Sequence, residues 1–220
     1  MAVHPGPGAV MPTTLVADFR PVHLRSLPEP FDDPEWLFEP AYDGVRALLS
    51  QSAAGSDIRT DHDLPLAGLS DLARRVSAVL GDREAVLEGL IVALDARGKP
   101  VLRDLLRGRG FLALAAMDLL VLDGRDVRPL PLAVRKAMLS ELLPADTGPL
   151  YKVFTLEEHG RALFATARKL DLAGIVARRK DEGYGPDAVW YRIANPEHTL
   201  AQAAERAARR QRARAPHRAE

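Results

Sequence analysis

The stretch 36–50 constrains the fold more than any other part of the chain. At its centre is Tyr42-Asp43-Gly44, and an apolar run lies on each side. An Asp-Gly pair between apolar runs is a strong signal of a β-hairpin turn. The sequence therefore predicts strands at 37–38 and 45–50 that pair with each other.

Three further segments have the spacing of helices. Apolar residues recur with a helical period at about 68–80. Pro131 is a favourable first-turn residue for a second helix, whose predicted apolar face is Val134, Met138, Leu139, Leu142 and Leu143. Thr155 and Glu158 have the spacing of a capping box. They predict a third helix, in which Leu163, Ala167 and Leu170 face the core.

Short apolar runs between these helices predict strands at 111–122, 150–154, 174–179 and 188–193, and a second hairpin in which 86–94 pairs with 100–102. Strands joined by hairpins and interrupted by helices favour an α+β fold with mostly antiparallel sheets. We expect a flexible arm at 1–20, one domain at 21–197 and an Ala/Arg-rich helical tail at 198–220.

Composition excludes several classes of function. The chain has 220 residues, of which 47% are hydrophobic, which suits one good core. Basic and acidic residues number 30 each, so overall charge does not indicate a nucleic-acid partner. The absence of cysteine excludes disulfides and thiol catalysis and is typical of a reducing compartment. Without an apolar run of membrane-spanning length or a signal-peptide core, we expect a cytoplasmic protein.

Several motifs resemble those of ATP-dependent DNA ligases, especially the bacterial end-joining type. The octapeptide at 39–46, Glu-Pro-Ala-Tyr-Asp-Gly-Val-Arg, is similar to the family's Glu-Pro-Lys-Tyr-Asp-Gly-x-Arg. Similar motifs occur at 87–95, 116–124, 172–180 and 190–194, so the resemblance covers most of the chain. It implies an ATP-grasp-like nucleotidyltransferase domain, with two sheets flanked by helices and the nucleotide in the groove between them.

The resemblance also shows what the motifs lack. The family's nucleophilic lysine, which attacks the α-phosphate of ATP, falls on Ala41, and a methyl group has no lone pair. Two metal-side glutamates fall on Leu90 and Ala173, and a phosphate-contacting lysine falls on Ala194. Magnesium needs oxygen ligands, so its binding is doubtful and any ATP is expected to bind non-covalently. Glu88 is an alternative acid, although residues two apart on a strand are displaced by roughly 6–7 Å.

Other positions keep side chains that suit a nucleotide. The resemblance assigns nucleotide contacts to Glu39, Pro40, Arg46, Arg59, Met117, Val176, Arg178 and Arg192. In the family the glutamate faces the adenine amino group, and the first arginine lies near ribose and phosphate. Met117 replaces an aromatic residue and is equally compatible with core filling. Asp61-His62-Asp63 has no second cluster of ligands, so we predict no metal site there.

The C-terminal tail is the predicted contact with nicked or duplex DNA. Arginine neutralises backbone phosphates, and the tail carries Arg206, Arg209, Arg210 and Arg212. A solvated helix end is the alternative. The stretch after Ala194 is too short for the OB domain that the resemblance implies, so we expect none.

Three hypotheses about function follow. The first is a ligase-like protein of DNA repair and recombination that lacks catalysis and binds DNA or a repair protein. The second is an active ligase or nucleotidyltransferase with another nucleophile, for which the candidates are Lys99, Lys136, Lys152, Lys169 and Lys180. The third is a nucleotide-binding regulatory module without a role on DNA.

Overall fold

A computed structural model describes residues 21–61, 64–144 and 148–200. In chain order its elements are β1 (Leu24–Ser26), β2 (Asp33–Ala41), β3 (Val45–Ser52), β4 (Gly55–Thr60), α1 (Leu69–Leu80), β5 (Ala85–Leu94), α2 (Leu102–Leu106), β6 (Phe111–Leu122), β7 (Arg125–Asp126), α3 (Leu132–Leu142), β8 (Leu150–Lys152), β9 (Leu156–Glu158), α4 (Gly160–Lys169), β10 (Gly174–Arg179) and β11 (Trp190–Ala194). Within these residues, no helix has the length and apolar character needed to span a membrane.

The strands form two sheets. The first has the order β1-β11-β10-β2-β9, and the second has the order β4-β3-β5-β6-β7, with β8 also paired to β6. The β1–β11 and β6–β8 pairs are parallel, whereas the other pairs are antiparallel. The predicted α+β class with mostly antiparallel sheets is therefore confirmed.

Alternation along the strands gives the first sheet one apolar face and one face that mixes apolar and charged residues. Phe38, Ile175 and Ile193 point to one side and pack with Leu163 and Ala167 of α4 in a single apolar cluster. Successive side chains of a strand point to opposite faces. The polar residues between these apolar ones are consequently left on the side away from α4.

The second sheet has the same asymmetry. Its larger apolar cluster includes Leu49 and Leu87 from the strands, Leu72 and Val76 from α1, and Leu139 from α3. Charged residues of β3, β5 and β6 lie on the other face. Asp118 of β6 contacts Arg178 of the first sheet, so these two faces meet and form a cleft between the sheets.

The predicted hairpin around Tyr42-Asp43-Gly44 is wrong. β2 pairs with β9 and β10, and β3 pairs with β4 and β5, so the connection crosses from one sheet to the other. Gly44 has no positive φ. A Cβ at this position would lie 2.7 Å from the carbonyl oxygen of Ile91. Glycine is thus needed for close approach to β5 rather than for a hairpin turn.

The second predicted hairpin is also wrong. β5 pairs along its length with β6, and only its last residues keep part of the predicted pairing, through the Leu94–Pro100 bridge and a hydrogen bond from the Val101 N–H to the carbonyl oxygen of Ala93 at 2.8 Å. Leu102 begins the short helix α2 instead. The long apolar strand β6 offers β5 ten paired residues, so the sheet forms with the more distant partner.

The helices lie where the sequence predicted them, but some residues predicted to be buried are exposed. α1 matches the predicted 68–80, and α3 follows Pro131. On α3, however, Val134 is exposed and Arg135 is buried, because Arg135 has an acidic partner inside the protein. Leu170 follows the end of α4 and is 57% exposed.

The predicted capping box does not form. α4 begins at Gly160, with His159 as its N-cap residue, and has no side-chain capping bond. Glu158 ends the short strand β9. The hydroxyl of Thr155 donates to Glu39 at 3.3 Å. The predicted strand at 150–154 ends at Lys152.

Candidate functional site

Ala41 and Ala194 lie in one row of the first sheet. Both pair with Gly174, Ala41 from β2 and Ala194 from β11. Side chains on either side of a central strand share a face and are separated by two strand spacings, roughly 9–10 Å. The two positions at which the resemblance implies lysines are therefore neighbours, and both carry methyl groups.

A cavity of about 310 Å³ lies beside this row, between the sheets. Ala41 and Leu90 contribute to its wall. Most of the residues predicted to contact a nucleotide also line it, namely Glu39, Pro40, Arg46, Met117, Val176 and Arg192. The geometry brings together residues from both sheets that are distant in sequence.

Some predicted site residues lie elsewhere. Arg59 is an exposed residue of β4 that pairs with Asp57 at 3.5 Å, and it does not line the cavity. Arg178 is buried behind the cavity wall. Ala173 is buried just before β10. The tail arginines at 206, 209, 210 and 212 lie outside the described residues, as do 1–20 and 62–63.

Behind the wall, a buried ion cluster joins the two sheets and α3. Arg135 donates from Nε and Nη2 to the two carboxylate oxygens of Asp118, at 2.8 and 2.9 Å. Arg178 donates to the same carboxylate and stacks 3.9 Å from the ring centroid of Trp190. Burial opposes ionisation of Asp118, but the charge of Arg178 and the hydrogen bonds from Arg135 outweigh it and lower its pKa.

Glu39 is also buried, and its carboxylate is contacted by two cationic side chains of the protein. The ammonium of Lys136 donates to its Oε1, and Nη1 of Arg178 lies 3.4 Å from its Oε2. Burial lowers the pKa of Lys136, and the neighbouring charge of Glu39 only partly offsets this. A ligand that used the Glu39 carboxylate would therefore share it with two cations.

Arg46 is similarly engaged on the second sheet. Its guanidinium donates to Glu88 and, at 2.6 Å, to the carbonyl oxygen of Val22. Burial raises the pKa of Glu88, although Arg46 opposes the shift. Among the described residues, Oε2 of Glu88 and the Tyr184 hydroxyl have no hydrogen-bond partner, so this corner holds buried polar atoms without protein partners.

Arg192 differs from the other arginines of the site. It is exposed on β11, lines the cavity, and forms no ion pair within the described part of the chain. The wall thus contains one guanidinium that is free to meet an anion, whereas that of Arg46 is already paired.

The geometry does not place Glu88 where it could replace the acid missing at Leu90. Leu90 lines the cavity, whereas Glu88 is fully buried and bound to Arg46. Within residues 21–61, 64–144 and 148–200, no three His, Asp or Glu side chains come together as a metal site. The described residues therefore offer no ready set of oxygen ligands for a divalent ion.

Arg135 was not identified from the sequence, and Lys136 was named there only as one of five candidate nucleophiles. One signal could have indicated them, because Asp118 interrupts a twelve-residue apolar strand. A buried carboxylate needs a cation or several donors. Two consecutive cations on the next helix could have been proposed as partners. In the structure, Arg135 pairs with Asp118 and Lys136 pairs with Glu39.

Proteins of known function with similar sequences are bacterial end-joining proteins. The multifunctional non-homologous end joining protein LigD of Pseudomonas aeruginosa is 35% identical over 170 residues, which cover 73% of this chain. The LigD DNA repair protein of Mycobacterium tuberculosis is 30% identical over 154 residues, which cover 69%. In each case the match spans 20% of the relative's length. No family model matches the chain.

Solved structures support the fold. The mycobacterial DNA ligase D complexed with ATP superposes with a TM-score of 0.69 at 26% identity, covering 80% of this chain and 60% of that one. The ligase domain of Mycobacterium tuberculosis LigD gives the same TM-score at 27% identity, covering 79% and 58%. The chain is therefore homologous to the ligase domains of bacterial end-joining LigD proteins and has the adenylation-domain fold of ATP-dependent DNA ligases.

Proposed function

We propose that this protein is a ligase-like adenylation domain that binds nucleotide without forming a covalent bond to AMP, and that it acts in DNA repair or recombination by binding DNA or a repair protein. The observation that carries the proposal is the position of Ala41, whose methyl group lies in the cavity wall. Residues 21–61, 64–144 and 148–200 contribute no lysine to this wall.

The losses reinforce one another. Ala41 removes the amine, Ala194 removes a cation from the same row, and Leu90 places an apolar side chain in the wall. Preorganised charges typically stabilise a transition state by roughly 3–4 kcal/mol each. Loss of several together leaves a site suited to binding rather than to phosphoryl chemistry.

The remaining wall suits a purine nucleotide. Pro40, Met117 and Val176 offer an apolar surface to a planar base, and methionine sulfur contacts aromatic rings favourably. Arg192 offers a cation to a phosphate. ATP complexed with the mycobacterial relative supports this choice of ligand. The bound nucleotide would supply phosphates to Arg192, and this chain would supply the base-binding wall.

Incubation with α-labelled ATP and a divalent metal, followed by denaturing electrophoresis, tests the covalent part. The expected result is no labelled protein, with equilibrium dialysis showing reversible ATP binding. An active DNA ligase run in parallel provides the positive control. A labelled band that is stable to denaturation and lost on acid treatment, as a phosphoramidate is, would overturn the proposal.

A second candidate function is favoured by one observation. Lys136 is held against Glu39, which lines the cavity, and burial lowers the pKa of its amine. A lysine whose pKa is lowered by desolvation is one form of activated nucleophile. If a labelled band appears and Lys136→Met abolishes it whereas Lys180→Met does not, the protein is a nucleotidyltransferase with a different nucleophile.

The DNA-binding part is tested separately. The tail arginines 206, 209, 210 and 212 remain predicted phosphate contacts. Replacing all four by glutamine should lower affinity for nicked and intact duplexes equally and flatten the salt dependence, because phosphate contacts carry no sequence information. ATP binding with no DNA binding at any salt concentration would favour the regulatory module.

A further inference from the structure

We propose that the segment 95–109 is a binding surface for the phosphate backbone of duplex DNA, placed at the mouth of the cleft. This inference rests on the proposed DNA-binding role and assigns it to residues that the structure describes. The segment comprises the turn after β5, the short helix α2 and the turn before β6.

The segment concentrates positive charge in a chain that is neutral overall. It contains five basic residues, Arg97, Lys99, Arg103, Arg107 and Arg109, and two acidic residues, Asp95 and Asp104. Local charge rather than net charge determines where a polyanion binds. The excess therefore marks this part of the surface.

Both acids are used within the segment. The carboxylate of Asp95 accepts backbone N–H groups of Arg97 and Lys99 at 2.8 and 2.9 Å, which lowers its pKa. Asp104 accepts from the guanidinium of Arg109 at 2.8 Å. Neither carboxylate pairs with Arg103 or Arg107. These two arginines are exposed and form no ion pair within the described residues.

The helix presents these arginines outward beside the cleft. Leu105 is buried, and Leu102 lines the 310 Å³ cavity. Arg103 lies on this helix and Arg107 is its C-cap residue, about one turn further along the chain. Between them is Leu106, which is 62% exposed. A phosphate backbone that contacted both guanidinium groups would pass the cavity mouth.

A nucleic-acid backbone fits this surface better than an acidic peptide does. Guanidinium groups bind both phosphate and carboxylate through two parallel hydrogen bonds, so the choice depends on what else each ligand would need. A peptide would also need pockets for its side chains. Continuity with the candidate nucleotide cavity through Leu102 places the surface where a DNA strand end would approach.

The test is binding of the full chain to fluorescein-labelled nicked and intact duplexes over a range of salt concentrations. The variant is Arg103→Gln/Arg107→Gln. The control, Arg125→Gln/Lys169→Gln, removes the same charge from exposed positions on β7 and α4, away from the cavity. Thermal unfolding of each protein checks that these surface changes leave the fold intact.

We expect the Arg103/Arg107 variant to bind both duplexes about tenfold more weakly near 0.1 M salt, with a salt slope smaller by about 1.8, which is about 0.9 per lost phosphate contact. The control should match the wild type. Equal behaviour of variant and control would overturn this inference and leave the proposed function standing. Failure of the wild type itself to bind would overturn this inference and the DNA-binding part of the proposed function, but not nucleotide binding. Displacement of the labelled duplex by polyglutamate at a lower concentration than by unlabelled duplex would identify a peptide partner instead.

Discussion

The cavity wall and the ion cluster behind it differ in what they contain. In the wall, Ala41 and Leu90 take the places where the family resemblance implies reacting or metal-binding groups. Behind the wall, Asp118, Arg135 and Arg178 form a paired network. The wall carries apolar side chains at the two positions where the resemblance implies such groups, whereas the buried charges that join the sheets are paired.

Physical chemistry explains why these two regions can differ. A side chain on a cavity surface can be replaced by a smaller apolar one without stranding a partner. Removing one member of a buried ion pair leaves an uncompensated charge, which costs about 3–5 kcal/mol. The fold therefore tolerates loss of the chemistry more readily than loss of the network.

The largest expected effect follows from breaking the network. Arg178→Ala should destabilise the protein by about 3–5 kcal/mol, because Asp118 and Glu39 would each lose a buried cation. Arg179→Ala is the matched control on the same strand. Arg179 is half-exposed and pairs with exposed acids, so its loss should cost much less than the loss of Arg178. Urea unfolding of both variants measures the difference, and equal costs would contradict the comparison.

The complementary change restores one group to the wall. Ala41→Lys alone should give no detectable protein–AMP adduct, because the cation at 194 and the acids at 90 and 173 remain absent. Each missing group represents roughly 3–4 kcal/mol of transition-state stabilisation. The measurement is the α-labelled ATP assay, with Ala41→Met as a control for side-chain volume. Full nick sealing by the lysine variant would show that the wall retains more function than its residues indicate.

The sequence predicted structural features that depend on local interactions better than those that depend on distant partners. The strand at 174–179 was predicted with its observed bounds, because one apolar run determines it. The Asp43-Gly44 turn was misassigned, because its flanking strands find longer partners in different sheets. Turn propensity does not report on such distant partners.

For the site, membership of the cavity wall could be predicted, but the ion pairs that its residues form could not. The family resemblance assigned Glu39, Met117 and Arg192 to one site, and in the structure all three line the same cavity. The partners of these residues were not predictable. The ion pair between Lys136 and Glu39, for example, joins residues nearly a hundred positions apart in the sequence. Arg59 is a residue for which the prediction of position failed. The family resemblance assigned it to the nucleotide site, but it does not line the cavity.

Acid should weaken the network by a smaller and graded amount. The pKa of Asp118 in the folded protein lies below its ordinary value of 3.8, because Arg178 and Arg135 outweigh the effect of burial. The ionised carboxylate therefore contributes stability that is complete above about pH 4 and is lost as the pH falls through the folded-state pKa. Wild type and Asp118→Asn should differ most in urea unfolding near pH 6, and the difference should shrink towards pH 3. A difference that stays constant would place the charge of Asp118 outside the stabilising network.

The smallest expected effect on stability concerns Arg192, the free cation of the wall. Arg192→Gln breaks no ion pair among the described residues and should change the free energy of unfolding by less than about 0.5 kcal/mol. Charge-assisted contacts to a phosphate contribute about 1.5–3 kcal/mol, so ATP affinity should fall by about tenfold or more. Arg125→Gln, an exposed position away from the cavity, is the control. Dialysis and urea unfolding on the same samples separate the two effects. An unfolding cost as large as that of Arg178→Ala would mean that the wall, too, holds the sheets together.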